Sequence, residues 1–523
     1  MTGTGDGSLR SPGLAASLPL ARLDAFRSHT MISFDLHTRQ RLARAWILVL
    51  VAVLVAVLVP GTIYGDVRLA GIFTDHMVLQ RDRRVPVWGT AAAGEKVRVV
   101  LGKQVHNTEA DQDGRWKVTL AELPAGGPHS LVVQARNTLT IEDVLIGEVW
   151  LASGQSNMAM PVRRCKDARA EQAAANFPKL RMFTVKKSAQ LAPVDDCQGA
   201  WQVCSPRTVA GFSGTAYYFG RRLHKELGVP VGLINSSWGG TAIEAWTSLD
   251  VQKKDSRLAP VFAPWKNKPG PDRNRPANLF NGMIQPLVGY GIRGGIWYQG
   301  ERNARSLASA RLYRHQLPLL ISDWRKRWAQ GGAEDFPFFW VQLPNFKARV
   351  GDPNPVTSWA VMRESMQLGL KTAATGMAVT IDVGEARDIH PKNKQTVGHR
   401  LAQAALAMAY KKDIVPMGPL MRSVTIEDSR VRVQFDHVGD KLVVRGKQGA
   451  GVMGFAVAGP DKVFYPATAR IDGKSVVVHS GEVPDPIAVR YAFGDNPAVN
   501  LFNSAGIPVA PFRTDDWKPA AAP

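Results

Sequence analysis

Cysteine is scarce, with three in 523 residues. That excludes a disulfide-stapled scaffold. With no CxxC pair and no Cys/His cluster at ligand spacing, it also argues against a structural zinc site. Runs of one charge are missing too. Lys and Arg outnumber Asp and Glu by 65 to 44, a formal net charge of +21, yet no basic run reaches five residues. No RRM, zinc-finger or helix-turn-helix signature accompanies them, so no nucleic-acid partner is expected. A solvated basic surface accounts for the balance, and the sharper alternative is attraction to acidic glycans or anionic envelope surfaces. Internal repeats and low-complexity linkers are absent. What is present is ordinary globular material, 45% apolar and 21% charged, in a length that predicts two to four domains.

The long apolar run is confined to residues 46–59, WILVLVAVLVAVLV. It falls short of the about 20 residues a membrane-spanning helix needs. Arg39, Arg41 and Arg44 precede it, and Pro60 and Gly61 follow. That order describes a secretory signal peptide, with an uncleaved N-terminal anchor as the alternative. Cleavage near Gly65 starts the mature chain at Asp66, exported to the periplasm or beyond. Removing the first 65 residues, with six Arg and three Asp, leaves the body strongly basic. In an oxidising compartment Cys197 and Cys204, seven apart, are able to pair, which leaves Cys165 odd.

Three segments follow the extension and signal of residues 1–65. Residues 66–143 carry short alternating runs such as KVRVVLG (96–102) and RWKVTL (115–120), separated by turns such as DQDG (111–114). They predict a β-sandwich-like module. Over 144–415, apolar strands at 144–152, 229–235, 294–299, 336–343 and 376–382 alternate with helical-period stretches such as 307–328 and 394–411. This predicts an α/β domain with a parallel sheet and helices on both faces. Alternation returns over 416–523, predicting a β-rich segment. Ligands of parallel α/β sheets bind at the carboxyl ends of the strands, so the residues just beyond each strand are the candidates.

The first strand runs into Gly154-Gln155-Ser156-Asn157-Met158. A serine in a glycine turn after a buried strand is how a nucleophile is exposed, although the GxSxG elbow is absent and an ordinary helix cap fits as well. The second ends in Trp238-Gly239-Gly240-Thr241, where glycine allows close backbone approach. The third ends in Gln299-Gly300-Glu301-Arg302-Asn303, whose amides are able to donate to an oxyanion. Beyond the fifth lie Asp388-Ile389-His390-Pro391, an acid and a base able to face one pocket.

These blocks, GQSNM (154–158), WGGT (238–241), WYQGERNA (297–304) and DIHPKNKQTVGHRLA (388–402), resemble the sialate O-acetylesterase family of SGNH hydrolases. VRLAGIFTDHMVLQRDRRVPVWG (67–89) and the C-terminal VRYAFGDNPAVNLFN are also similar to that family, so the resemblance spans essentially the whole mature chain. It implies a flavodoxin-like SGNH domain flanked by β-rich segments. It further implies metal-independent, cofactor-free removal of acetyl groups from O-acetylated sugars, above all 9-O-acetylated sialic acids. By position Ser156 matches the nucleophile, Asp388 and His390 the acid and base, and Gly239 or Gly240 the oxyanion glycine. Gln299 or Asn303 completes the hole. Asn157, Trp238 and Glu301 are the expected substrate contacts, and Arg302 stands where relatives would carry a small residue. Trp246, Trp297 and Tyr298 are further candidates for stacking on a sugar. Nothing in these residues encodes a sialate or a subunit interface. An esterase for acetylated xylan and a non-catalytic glycan-binding protein on a hydrolase scaffold are the rival readings.

Overall fold

The structure, a computed structural model, describes residues 41, 44–47, 66–328, 332, 335–447 and 449–517. Apart from Trp46 and Ile47, the apolar run 46–59 lies outside the described residues, as does the expected cleavage site at Gly65. Among the described residues no helix is long and apolar enough to cross a membrane. The chain divides into Met1–Ile63 and Tyr64–Pro523, and the fold is that of the second unit.

Its first strands are β1 (Arg68–Leu69), β2 (Val78–Gln80), β3 (Val85–Thr90), β4 (Lys96–Leu101), β5 (Gln104–Glu109), β6 (Arg115–Leu120) and β7 (Gly126–Gln134). In β4 and β6 every second residue is turned inward: Val97, Val99 and Leu101 in one, Trp116, Val118 and Leu120 in the other. This is the period-two burial that the alternating runs predict. The Asp111 carboxylate closes the intervening turn by accepting from the backbone N–H groups of Asp113 and Arg115 at 3.0 and 2.8 Å. β3 pairs with β1 and β6 in a three-stranded sheet, whereas β4, β5 and β7 join a larger one.

The link is β8 (Thr138–Gly154), one strand of 17 residues. Up to Asp143 it alternates between exposed and half-buried; from Val144 every residue is buried. The change of pattern at 143/144 is therefore real, but it marks a strand passing from a half-solvated sheet into one covered on both faces. The chain does not break there, and Asp143 bends it with φ +55°.

The large sheet continues with β9 (Phe177–Thr184), β10 (Trp201–Cys204), β11 (Val231–Ser237), β12 (Gly294–Tyr298), β13 (Phe338–Val341) and β14 (Thr375–Ala378). Its order is β10-β9-β11-β8-β12-β13-β14, with β10 antiparallel to β9 and the other neighbours parallel. The five anticipated strands are β8, β11, β12, β13 and β14. Numbered along the chain, these five lie in the order 2-1-3-4-5, which puts the topological reversal between β8 and β12.

Helices α1 (Ser156–Ala159), α2 (Gly214–Leu227), α3 (Leu307–Trp328), α4 (Ser358–Leu368) and α5 (Lys394–Met408) connect the strands. Side-chain oxygens of Ser213, Thr357 and Asn393 cap α2, α4 and α5, as their residue types favour. α2 packs on α5 and α3 on α4. Trp150 of β8 meets Phe219 of α2, whereas Trp297 of β12 meets Trp324 of α3. Trp150 lies opposite Gly294 in the register, so Trp297, an odd number of residues further on, faces the other side and both faces are covered.

The last segment contributes antiparallel strands from β15 (Leu420–Glu427) and β16 (Arg430–Asp436) to the final Phe512–Arg513. Arg363 of α4 holds it: the fully buried guanidinium donates to the carbonyls of Leu343 and Pro344 beyond β13 and of Gly494 and Asp495 in the C-terminal segment.

The cysteines correct one expectation. Cys165, Cys197 and Cys204 are all free and buried. Cys204 ends β10 with its Sγ toward the carbonyl of Ala175, whereas Cys197 lies before that strand against Gly71, so the two do not meet.

Candidate active site

Four strand-end loops converge. At the end of β8, Gly154 adopts φ +135°, and a Cβ there would fall 2.2 Å from the Tyr298 carbonyl of β12. Only glycine satisfies both conditions. Gln155 N–H then donates to that same carbonyl at 2.9 Å, and Ser156 opens α1. From β11, Trp238 N–H donates to the Gly154 carbonyl at 3.0 Å. This brings Gly239 so close to the serine that a Cβ on it would lie 3.2 Å from Ser156 Cβ. Gly240, the next residue, has φ +74°.

The loop between β14 and α5 brings a histidine to the serine. His390 Nε2 lies 2.8 Å from Ser156 Oγ. Asp388 Oδ1 accepts from the His390 backbone N–H at 2.8 Å and stands 3.5 Å from Nδ1. The carboxylate therefore holds the loop and faces the ring. Both side chains are partly open to solvent, at 34% for His390 and 40% for Asp388. Burial, with added repulsion from Lys394 and Arg164, pushes the imidazole below its ordinary value against the pull of Asp388. A neutral ring at neutral pH is what a general base requires.

The third block sits differently from expectation. The structure turns the Gln299 and Asn303 amides into the protein. Gln299 is fully buried, and its Nε2 donates to Thr241 O at 3.0 Å and to Asn303 Oδ1 at 2.8 Å. Asn303 Nδ2 donates to Glu244 Oε2 at 2.9 Å, and its Oδ1 accepts from Ile243 N–H at 3.1 Å. The two amides tie the end of β12 to the WGGT loop.

Asn157 and Glu301 are buried at 0% and 5% and bond to each other. Asn157 also touches Lys394, which is fully buried. Of the aromatics, Trp246, Trp297 and Tyr298 are fully buried core residues, which removes them as stacking surfaces for a sugar. Trp238 is half-buried, with the Lys187 ammonium 5.7 Å from its ring. Arg302 is half-exposed, and its backbone N–H donates to Gln155 Oε1 at 3.3 Å.

Sequence reasoning passed over Glu244 and Lys394. Glu244 carries no pattern signal. Lys394 does, because with Val397, Gly398 and Leu401 it occupies the buried stripe of α5, the spacing that marks a core-facing position. Among the described residues no group of three His, Cys, Asp or Glu side chains is placed to hold a metal ion.

Comparison with known proteins places the chain among carbohydrate esterases. Residues 146–407 match the family described as carbohydrate esterase, sialic acid-specific acetylesterase. The chain is 34% identical over 397 residues to the sialate O-acetylesterase of Homo sapiens, covering 69% of this chain and 74% of that one. It is 32% identical over 420 residues to that of Mus musculus, covering 69% and 76%. A crystal structure of a carbohydrate acetylesterase from Xanthomonas citri is 41% identical, with TM-score 0.79 over 86% of this chain and 100% of that one.

Proposed function

The chain belongs to the sialate O-acetylesterase family of carbohydrate esterases and is a carbohydrate O-acetylesterase; from that premise we propose that it is a serine hydrolase of the SGNH type whose nucleophile is Ser156. The observation that carries the reading is the 2.8 Å contact between Ser156 Oγ and His390 Nε2 at the carboxyl ends of parallel strands. The 2-1-3-4-5 strand order supports the SGNH assignment.

His390 takes the Ser156 proton on Nε2 as Oγ attacks the acetyl carbonyl, with Asp388 orienting the ring and facing the charge that forms on it. The carbonyl oxygen becomes an oxyanion received by the backbone N–H groups of Ser156 and Gly239, and one such donor contributes about 3–4 kcal/mol to the barrier. Collapse expels the sugar oxygen, which leaves as a hydroxyl with the proton from His390. Water, deprotonated by His390, then attacks the acetyl-serine and releases acetate. Gln299 and Asn303 keep the two strand ends in register rather than supplying the hole.

The sugar is read as a sialic acid. Arg164 acts on His390 from the rim, Lys187 lies beside Trp238, and Arg273 approaches within 3.7 Å of where a Gly240 Cβ would stand. With Arg302 they give a basic mouth suited to a sugar carboxylate. The mature enzyme is taken as residues 66–523, exported behind the basic and apolar leader, with the hydrolase unit at 144–415 between its β-rich flanks.

The test is acetate release from O-acetylated sialic acid and from acetylated xylan, with Ser156→Ala in parallel. Release from the sialate alone is expected, abolished in Ser156→Ala with the fold intact. Activity surviving in Ser156→Ala overturns the nucleophile. Release from xylan alone overturns the sialate.

A further inference from the structure

The carbonyls on either side of His390 are both held from inside the protein. Asn157 Nδ2 donates to Ile389 O at 3.0 Å, and Lys394 Nζ donates to Pro391 O at 2.6 Å. The two clamps are joined, since Lys394 Nζ also donates to Asn157 Oδ1 at 2.6 Å. Asn157 Nδ2 bonds Glu301 Oε1 as well. The amide thus presents its oxygen to an ammonium and its nitrogen to a carboxyl group, which fixes which way round it sits. Asn157 follows the nucleophile directly, so one connected set of side chains grips the chain next to Ser156 and on both sides of His390.

On the reading of Ser156 and His390 as nucleophile and base, we infer that Lys394, Asn157 and Glu301 form a positioning unit that holds His390 at hydrogen-bonding distance from Ser156, with the Lys394 ammonium as its anchor. An ammonium is a costly object to bury, and a methionine would fill the same space without that cost. The position in the buried stripe of α5 makes sense if the charge itself is used. The groups facing Lys394 are Glu301 after β12, Cys165 before α2, Glu385 and Asp388 on the loop it clamps, and the Tyr298 ring, 5.3 Å from Nζ. Burial brings its pKa down to about 8, so the ammonium form still prevails at neutral pH. The groups facing His390 are Asp388, Lys394 and Arg164, and the two cations oppose its protonation.

The experiment compares full-length wild type, Lys394→Met and Ser156→Ala for kcat and KM between pH 4.5 and 9, with Tm measured on each. Lys394→Met is expected to lower kcat about 10- to 100-fold, the scale of a misplaced base, with KM within about twofold. The acid limb of its pH profile is expected to move to higher pH. A cation that opposes the imidazolium has been removed, so His390 becomes protonated at a higher pH as the solution is acidified. If Lys394→Met does not fold, Asn157→Ala, which frees Ile389 O and leaves the ammonium in place, carries the same expectation for kcat and KM. Wild-type kcat with an unmoved acid limb in folded Lys394→Met overturns the inference. So does a lowered Tm and kcat with the limb unmoved, which is the signature of a merely structural residue. Activity in Ser156→Ala would instead overturn the reading of the site beneath it.

Discussion

Gly239 is where the spacing of the site is least forgiving. Its φ lies outside the left-handed region that Gly240 occupies, so an alanine there meets no backbone objection. The objection is space: the added Cβ would sit 3.2 Å from Ser156 Cβ and 3.5 Å from its Cα. Gly239→Ala is therefore expected to displace Ser156 by a few tenths of an ångström and to lower kcat by about 10- to 100-fold, because reacting groups tolerate little misplacement. Tm should hardly move. Kinetics beside a melting curve checks this, and unchanged kcat would mean that Gly239 is free to retreat. The convergence of Ser156 and Gly239 was legible because a polar or glycine residue directly after an apolar strand has few reasons to be there, whereas His390, well beyond the end of β14, stood out by its spacing from Asp388. The inward turn of Gln299 and Asn303 was not. Position after a strand fixes where a residue stands, but its partners fix where its side chain points, and Thr241 and Glu244 come from another strand end.

At the scale of elements, β8, β11 and β12 announced themselves as apolar runs because both of their faces are covered. β9 and β10 did not. FPKLRMFT has Pro178 and Lys179 directly after Phe177 and carries Arg181, and WQVC is only four residues long. Arg181 is buried because it pairs with Asp143 at the bend of β8, a contact no local pattern displays. Arg363 shows the same effect between segments. Nothing in SWAVMRESMQL marks its one cation as enclosed, yet it holds four carbonyls on two segments. Burial brings its pKa down to about 9, so it remains charged at neutral pH. Arg363→Met should leave those acceptors unpaired in the core, at about 1–3 kcal/mol for a buried group that loses its partner. The expected result is a lower midpoint of denaturant unfolding, with Ser156 still reactive toward a fluorophosphonate probe before the transition. An unchanged midpoint would mean that the C-terminal segment is held by other contacts.

At the scale of the whole molecule, the thiols have to be reconciled with the export proposed for the chain. An exported chain meets oxidants, and a separation of seven between Cys197 and Cys204 invites a bridge. The fold protects them by enclosure instead. Burial pushes Cys165 up to about 11 and Cys197 and Cys204 up to about 12. Raised values favour the neutral thiol, so near pH 7.5 the reactive thiolate is on the order of one molecule in a thousand or fewer. Closed access lowers the rate further. Titration with a chromogenic disulfide at pH 7.5 should find no fast thiol in the native protein, and all three cysteines once guanidinium opens it without reductant. A Cys197–Cys204 bridge would instead leave a single thiol in the unfolded chain, and one fast native thiol would mean that a packed segment opens readily. The same measurement at pH 9 separates the two protections. If ionisation limits the reaction, the native rate rises with pH while the groups stay far below their pKa. If opening of the fold limits it, every opening leads to reaction, so the rate equals the rate of opening and changes little with pH.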